Sequence, residues 1–173
     1  YAPATSVRDN FGKIFGEKYA KEAAHYFTDI LSEIHLQEIE LIPGVKEALE
    51  LLKTHNIVLG IVSNKLGTIL RRETAHFGLC HYFKDIVGSY DAPADKPSLE
   101  PVKKILQDTD ILLGPEIWFV GDSIIDMQCA KNGNLTPIFR GNRTAALRKG
   151  ITDENIMKIL DLNCLSRLLY QCI

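Results

Sequence analysis

A chain of 173 residues fits one domain, or one domain with a small appendage. With 46% hydrophobic residues, 24% charged residues and a net charge of −2, it has a globular composition and no basic field for nucleic acid. No apolar stretch is long enough for a bilayer and no charged-then-apolar stretch comes first. The four Cys (Cys80, Cys129, Cys164, Cys172) form no CxxC pair, which points to reduced thiols in a cytoplasmic protein rather than a disulfide framework or a zinc site.

Residues 1–40 predict two or three amphipathic helices. Phe11, Ile14, Phe15 and Tyr19, then Ala23, Tyr26, Phe27, Ile30, Leu31 and Ile34, recur at spacings of three and four, with Lys13, Glu17, Lys18, Lys21 and Glu22 on the other faces. Helix-helix packing accounts for every aromatic among them. At Leu41-Ile42-Pro43-Gly44 the pattern changes, and a helix is expected over Val45–His55, with Pro43 near its start. Strands and helices then alternate: a strand over Ile57–Val62, a helix over Gly67–Phe77 closed by Gly78, and a short strand over Asp85–Gly88. A loop from Tyr90 to Lys96 and a helix over Pro97–Asp108 follow. The remaining expectations are strands at Ile117–Val120, Thr136–Phe139 and Met157–Leu160, a helix over Ile124–Asn132, and a closing helix over Leu162–Tyr170 capped by Asp161. Continuously apolar strands alternating with helices predict an α/β fold, a parallel sheet covered on both faces.

Three strand ends carry chemistry. The first ends in Ser63-Asn64-Lys65, where a hydroxyl, an amide and an ammonium could hold a phosphate; turn and helix-cap duty is the competing reading. The loop after the second delivers Asp95-Lys96-Pro97 to a helix start, where Lys96 could meet an anion as a point charge or be ordinary surface polarity. The third ends in Gly121-Asp122-Ser123-Ile124-Ile125-Asp126. Clustered carboxylates repel unless a cation joins them, and hard oxygen ligands suit Mg²⁺; alternatively, Asp122 caps the next helix and Asp126 is surface charge. In a doubly wound sheet all three ends share the edge where ligands bind. Arg140-Gly141-Asn142-Arg143 could line an entrance or form a turn and helix cap. His55, His76 and His81 have no ligand-spaced partners.

Taken together, these segments resemble the haloacid dehalogenase-like hydrolase superfamily, in its phosphoglycolate phosphatase-like branch. Ile61-Val62-Ser63-Asn64-Lys65 is similar to its second motif, Lys96-Pro97 with Glu100-Pro101 to its third, and Gly121 to Asp126, followed by Ala130 and Gly133, to its fourth. Leu41-Ile42-Pro43-Gly44-Val45 resembles the return from a helical cap to the core, so the match covers about residues 41–140. The resemblance implies a Rossmann-like three-layer parallel-sheet core over 41–173, a partial helical cap over 1–40, and Mg²⁺-dependent hydrolysis of a small phosphorylated substrate. It implies that Ser63 and Asn64, with Lys65 beside them, bind the phosphoryl group, that Lys96 neutralises nucleophile and phosphate, and that Asp122 and Asp126 hold or orient the metal. It points to no nucleic-acid or membrane partner and leaves oligomeric state open.

One element of the resemblance is missing. The family's first motif, DxDx[TV] at the end of a central first strand, supplies the nucleophile, and no DxDx[TV] segment occurs here. With Tyr1 in place of Met at the start, this leads to the expectation that a preceding segment carries that strand. The alternative is a truncated, catalytically inactive homologue that serves as a binding or interaction module and completes its sheet with a strand from a partner or a second copy. A dehalogenase is a third reading, disfavoured because it needs no cation site.

Overall fold

The computed structural model describes residues 7–34, 36, 38–162, 164 and 168. Its elements run α1 (Val7–Phe15), α2 (Glu17–Ile34), α3 (Val45–Thr54), β1 (Gly60–Leu66), α4 (Gly67–His76), β2 (Asp85–Ser89), α5 (Glu100–Leu106), β3 (Trp118–Gly121), α6 (Ile124–Asn132), β4 (Thr136–Arg140), α7 (Arg143–Arg148) and β5 (Met157–Ile159). Every strand pair is parallel, as helical crossovers require, and the fold is α/β and Rossmann-like. The described residues form two ladders, β1–β2 and β3–β4–β5, and contacts group them into two compact units: residues 1–41 with 58–107, and residues 42–57 with 108–173.

In the first unit, β1 differs from its expected span in an informative way. It starts at Gly60 rather than Ile57, because the Ile57 N–H is still bonded to Leu52 O and the preceding Asn56 is left-handed, so the chain is finishing the turn after α3. At the other end β1 runs through Ser63-Asn64-Lys65 to Leu66 with a bulge: Val62 faces Val87 and Leu66 faces Ser89, so β1 takes more residues than β2 over the same rise. Gly88 makes this junction possible. A Cβ there would stand 2.4 Å from the Gly67 Cα and 2.7 Å from Lys65 O, both unyielding backbone. Val87, Ala92 and Ile105 pack with Val62 under this edge, and Ala24, Leu66 and Ile69 join α2 to β1 and α4 with Phe11 and Tyr90.

Helix α5 starts at Glu100, not Pro97. Ser98 first closes a turn onto Asp95 O, and Pro101 then sits in the first helical turn, where a missing N–H costs nothing. The pairing of α1 with α2 also departs from expectation. Ala20 and Ala24 are buried, but Tyr26 is 72% exposed, Ile14 71% and Tyr19 53%, and the aromatics border an open groove of about 450 Å³. Two helices can each bury one stripe only, and here alanines fill it.

Asp91 fastens α4 to β2. Its carboxylate accepts from Arg71 at 2.5 and 3.1 Å and from the Gly88 N–H at 2.8 Å, and it lies against Gly67, which has no room for a Cβ. Burial alone would push the Asp91 carboxyl up; the Arg71 guanidinium and the Gly88 N–H outweigh it and hold the group below the usual carboxylate range. A depressed carboxyl stabilises the fold above its unfolded value and loses that contribution as pH falls through the folded one. Asp91→Asn is therefore expected to cost about 1 kcal/mol at neutral pH. In urea unfolding at a series of pH values, its deficit against the native sequence should shrink below about pH 4. A deficit that stays constant into acid would remove the ion pair as its cause.

In the second unit, Phe139, Met127, Ala146 and Ile151 form the core between β4, α6 and α7. Most of the expected closing helix over Leu162–Tyr170 lies outside the described residues; Asp161 does accept from the Cys164 N–H at 2.9 Å, as a cap would.

Candidate functional site

The bulged end of β1 presents Ser63, Asn64 and Lys65, and the three do different work. Asn64 clamps the backbone of Lys96: its Oδ1 accepts from the Lys96 N–H at 2.9 Å and its Nδ2 donates to Lys96 O at 3.0 Å. The amide thus holds the loop after β2 through its Oδ1 and one N–H, so Asn64 positions Lys96. The Lys96 Nζ donates to Val62 O at 3.0 Å, which sets its ammonium at the residue before Ser63. The Lys96–Pro97 peptide is cis. The Ser63 Oγ accepts from the Lys65 N–H at 3.1 Å. The ammonium of Lys65 is bound by both oxygens of Glu73 at 2.7 Å, which directs it to α4. Leu66, not Ser63 or Asn64, occupies the N-cap of α4, so neither residue spends its side chain on capping.

The loop that carries Lys96 is itself tied down. The Ser89 Oγ donates to Asp95 at 2.6 Å, and Arg8 of α1 donates to Ala92 O and Pro93 O, stands 3.5 Å from Asp95 and lies over the Tyr90 ring at 4.7 Å. Long-range contacts of this kind leave no periodic trace in a sequence.

The second unit holds the two carboxylates. Gly121 ends β3 without a side chain because Asp126 lies on it: a Cβ there would stand 2.4 Å from the Asp126 Cβ and Cγ. The buried Asp126 accepts at one oxygen from the Asp122 N–H, the Ser123 N–H and the Ser123 Oγ, while the Ser123 Oγ accepts from the Asp126 N–H. This is a capping box with Ser123 as N-cap, so Asp122 is not the helix cap and Asp126 is not surface charge. Asp126 shapes the turn and Asp122 projects from it, half exposed.

Two cations face Asp122. The Lys149 Nζ donates to its backbone oxygen and approaches its Oδ2 at 3.2 Å, and an Arg140 guanidinium nitrogen lies 3.6 Å from the same oxygen. Arg140 is the last residue of β4 and belongs to the segment that the sequence offers either as an entrance lining or as a turn and helix cap. Lys149 carries no sequence signal; it reaches Asp122 from the C-terminal end of α7, 27 positions away.

Among the described residues no three His, Cys, Asp or Glu side chains gather as a ready-made metal cage. Mg²⁺ does not need one: it keeps several waters and takes one or two carboxylates plus substrate phosphate. Asp122 fits that requirement. It is an open hard-oxygen donor around which cationic charge already collects, while the Asp126 oxygen at the turn is occupied by three donors. The sole Asp-x-Asp of the chain, Asp108-Thr109-Asp110, lies in the turn after α5, with Asp108 left-handed, and not at a strand end.

Comparison with known proteins identifies the family. Residues 4–139 match the haloacid dehalogenase-like hydrolases. The phosphoglycolate phosphatase of Rhodobacter capsulatus is 32% identical over 131 residues, 76% of this chain and 56% of that protein. The enzyme of the same name from Haemophilus influenzae (strain Rd) is 32% identical over 116 residues, 67% and 51% respectively. The chain thus spans about half the length of these relatives. A HAD-superfamily hydrolase from Ehrlichia chaffeensis superposes with a TM-score of 0.67 at 33% identity, covering 98% of this chain and 77% of that one. A predicted phosphoglycolate phosphatase from Haemophilus somnus does so at 0.70 with 23% identity, covering 90% and 68%.

Proposed function

This chain belongs to the haloacid dehalogenase-like hydrolases, in the phosphoglycolate phosphatase-like branch, and from that premise we propose that the protein is a Mg²⁺-dependent phosphatase of a small phosphorylated metabolite. The observation that carries this reading is the Asn64 clamp. It fixes an ammonium, Lys96, at the strand end that bears Ser63, the pairing of charge and hydroxyl that an incoming phosphoryl group requires.

In the proposed reaction, Ser63 orients the phosphoryl oxygens and Lys96 offsets negative charge that builds up as the phosphorus is attacked. Asp122 would hold the Mg²⁺, with Asp126 keeping its turn in shape; the ion, when bound, would polarise the phosphoryl oxygens. The attacking carboxylate of an aspartyl-phosphate route would come from outside these 173 residues, which contain no DxDx[TV] segment. Residues 1–40 would contribute to a cap over the substrate, and phosphoglycolate is the first compound to try. A cytoplasmic setting belongs to the same proposal. No helix among the described residues is long and apolar enough to cross a membrane.

The expected result is Mg²⁺-dependent release of phosphate from p-nitrophenyl phosphate by the native protein, abolished by EDTA and restored by added Mg²⁺. A folded protein that releases nothing above background would reject the reading. One observation favours a second one: among the described residues β1 has a ladder with β2 alone, and β3 with β4 alone. A non-catalytic module that accepts a strand would use such an edge. The intact mass of the native protein, together with the phosphate assay, separates the two.

A further inference from the structure

Asp122 is a carboxylate whose position already attracts positive charge, and the nearer of its two cations is held there by the fold. Lys149 occupies the C-cap of α7, its N–H bonded to Ala145 O and Ala146 O, and left-handed Gly150 turns the chain away directly after it. From that fixed root its ammonium bridges two hard oxygens of one residue, the backbone oxygen and Oδ2 of Asp122. Arg140, at the end of β4, adds a second, longer approach to the same Oδ2. Both contacts lie within the second unit and depend on no other part of the chain.

We propose that Lys149 is a tethered counter-cation that competes with a divalent metal ion for Asp122. The inference rests on the reading of Asp122 as the metal-bearing carboxylate and adds regulation to it. A carboxylate neutralised by an ammonium attracts a dication less, and an ammonium near the bound dication repels it. Metal entry is therefore an exchange in which the Lys149 head leaves Asp122 as the ion arrives. The lysine keeps the metal-free turn charge-balanced and sets the metal affinity below what the bare carboxylate would give.

Trp118, the single tryptophan of the chain, lies in β3, the strand that leads into the turn bearing Asp122, and gives a readout independent of turnover. Mn²⁺ binding to the native protein is followed by Trp118 fluorescence and by the loss of the free-ion EPR signal. Lys149→Met is expected to tighten binding about tenfold, the size of one partly screened charge term near a dication. Lys149→Arg is expected to bind as the native sequence does, and Arg140→Met to tighten binding less than Lys149→Met. Asp122→Asn should abolish this binding in every background, with circular dichroism confirming folded protein. Unchanged or weaker Mn²⁺ binding by a folded Lys149→Met, with Asp122→Asn still abolishing it, overturns the proposal and leaves the metal reading standing. Binding that ignores Asp122→Asn, or no binding by any form, overturns both.

Discussion

Replacing Asp122 with Asn is expected to lower the turnover of a phosphomonoester by the native protein roughly a thousandfold. A metal ion at a transferring phosphoryl group contributes several kcal/mol of charge stabilisation, and each 1.36 kcal/mol is a decade of rate. Asn keeps the shape of the side chain and removes the charge, so the loss reports electrostatics and not packing. Stability serves as the control. The contacts of Asp122 with Lys149 and Arg140 are half exposed, and such pairs contribute within about 1 kcal/mol. The capping box, which fixes the turn, uses the Asp122 N–H and not its carboxylate. The variant should therefore unfold in urea close to the native midpoint while kcat collapses and the response to added Mg²⁺ weakens. A folded Asp122→Asn protein with native kcat would remove this carboxylate from the reaction.

Asn64→Leu is expected to be the second most damaging change, and it should damage turnover and stability together. Leu is near in size but takes away both the acceptor for the Lys96 N–H and the donor to Lys96 O. Stripping a part-buried pair of backbone groups of these partners costs about 2 kcal/mol. The loop then no longer fixes the Lys96 ammonium beside Ser63, and a displacement near 1 Å in a catalytic group costs on the order of 100-fold in rate. Asn64→Asp discriminates between mechanisms. A carboxylate still accepts from the Lys96 N–H but repels Lys96 O, so it should fall between Leu and the native residue in both kcat and thermal midpoint. If the Leu variant kept native kcat and midpoint, the clamp would have no functional weight.

Much of this architecture is legible in the chain because it is local. The helix after β3 falls at Ile124–Asn132 as expected, since Ser123 and Asp126 supply its start and Gly133 its end within one short stretch. The end of β3 also stands where an apolar run meets polar residues, at Gly121-Asp122. What local patterns could not convey is which polar group each end spends on the protein itself. The chain shows Asn64 and Lys65 at a strand end, but not that the Asn64 amide holds a backbone 32 positions away or that the Lys65 ammonium meets Glu73. The start of β1 differs from the sequence expectation for a similar reason: Ile57 is as apolar as the strand it precedes, but its N–H bonds back to Leu52 O. The exposed rings of α1 and α2 escaped periodicity because a stripe at helical spacing predicts a buried face whether or not two helices suffice to bury it.

The capping box at Ser123 and Asp126 has a thermodynamic consequence. A turn laced by four hydrogen bonds of its own has little freedom left to surrender when a guest arrives. Capture of an ion there draws on dehydration and charge, with no folding step to precede it, so its heat should follow the hydration of the ion chosen while the heat-capacity change stays small.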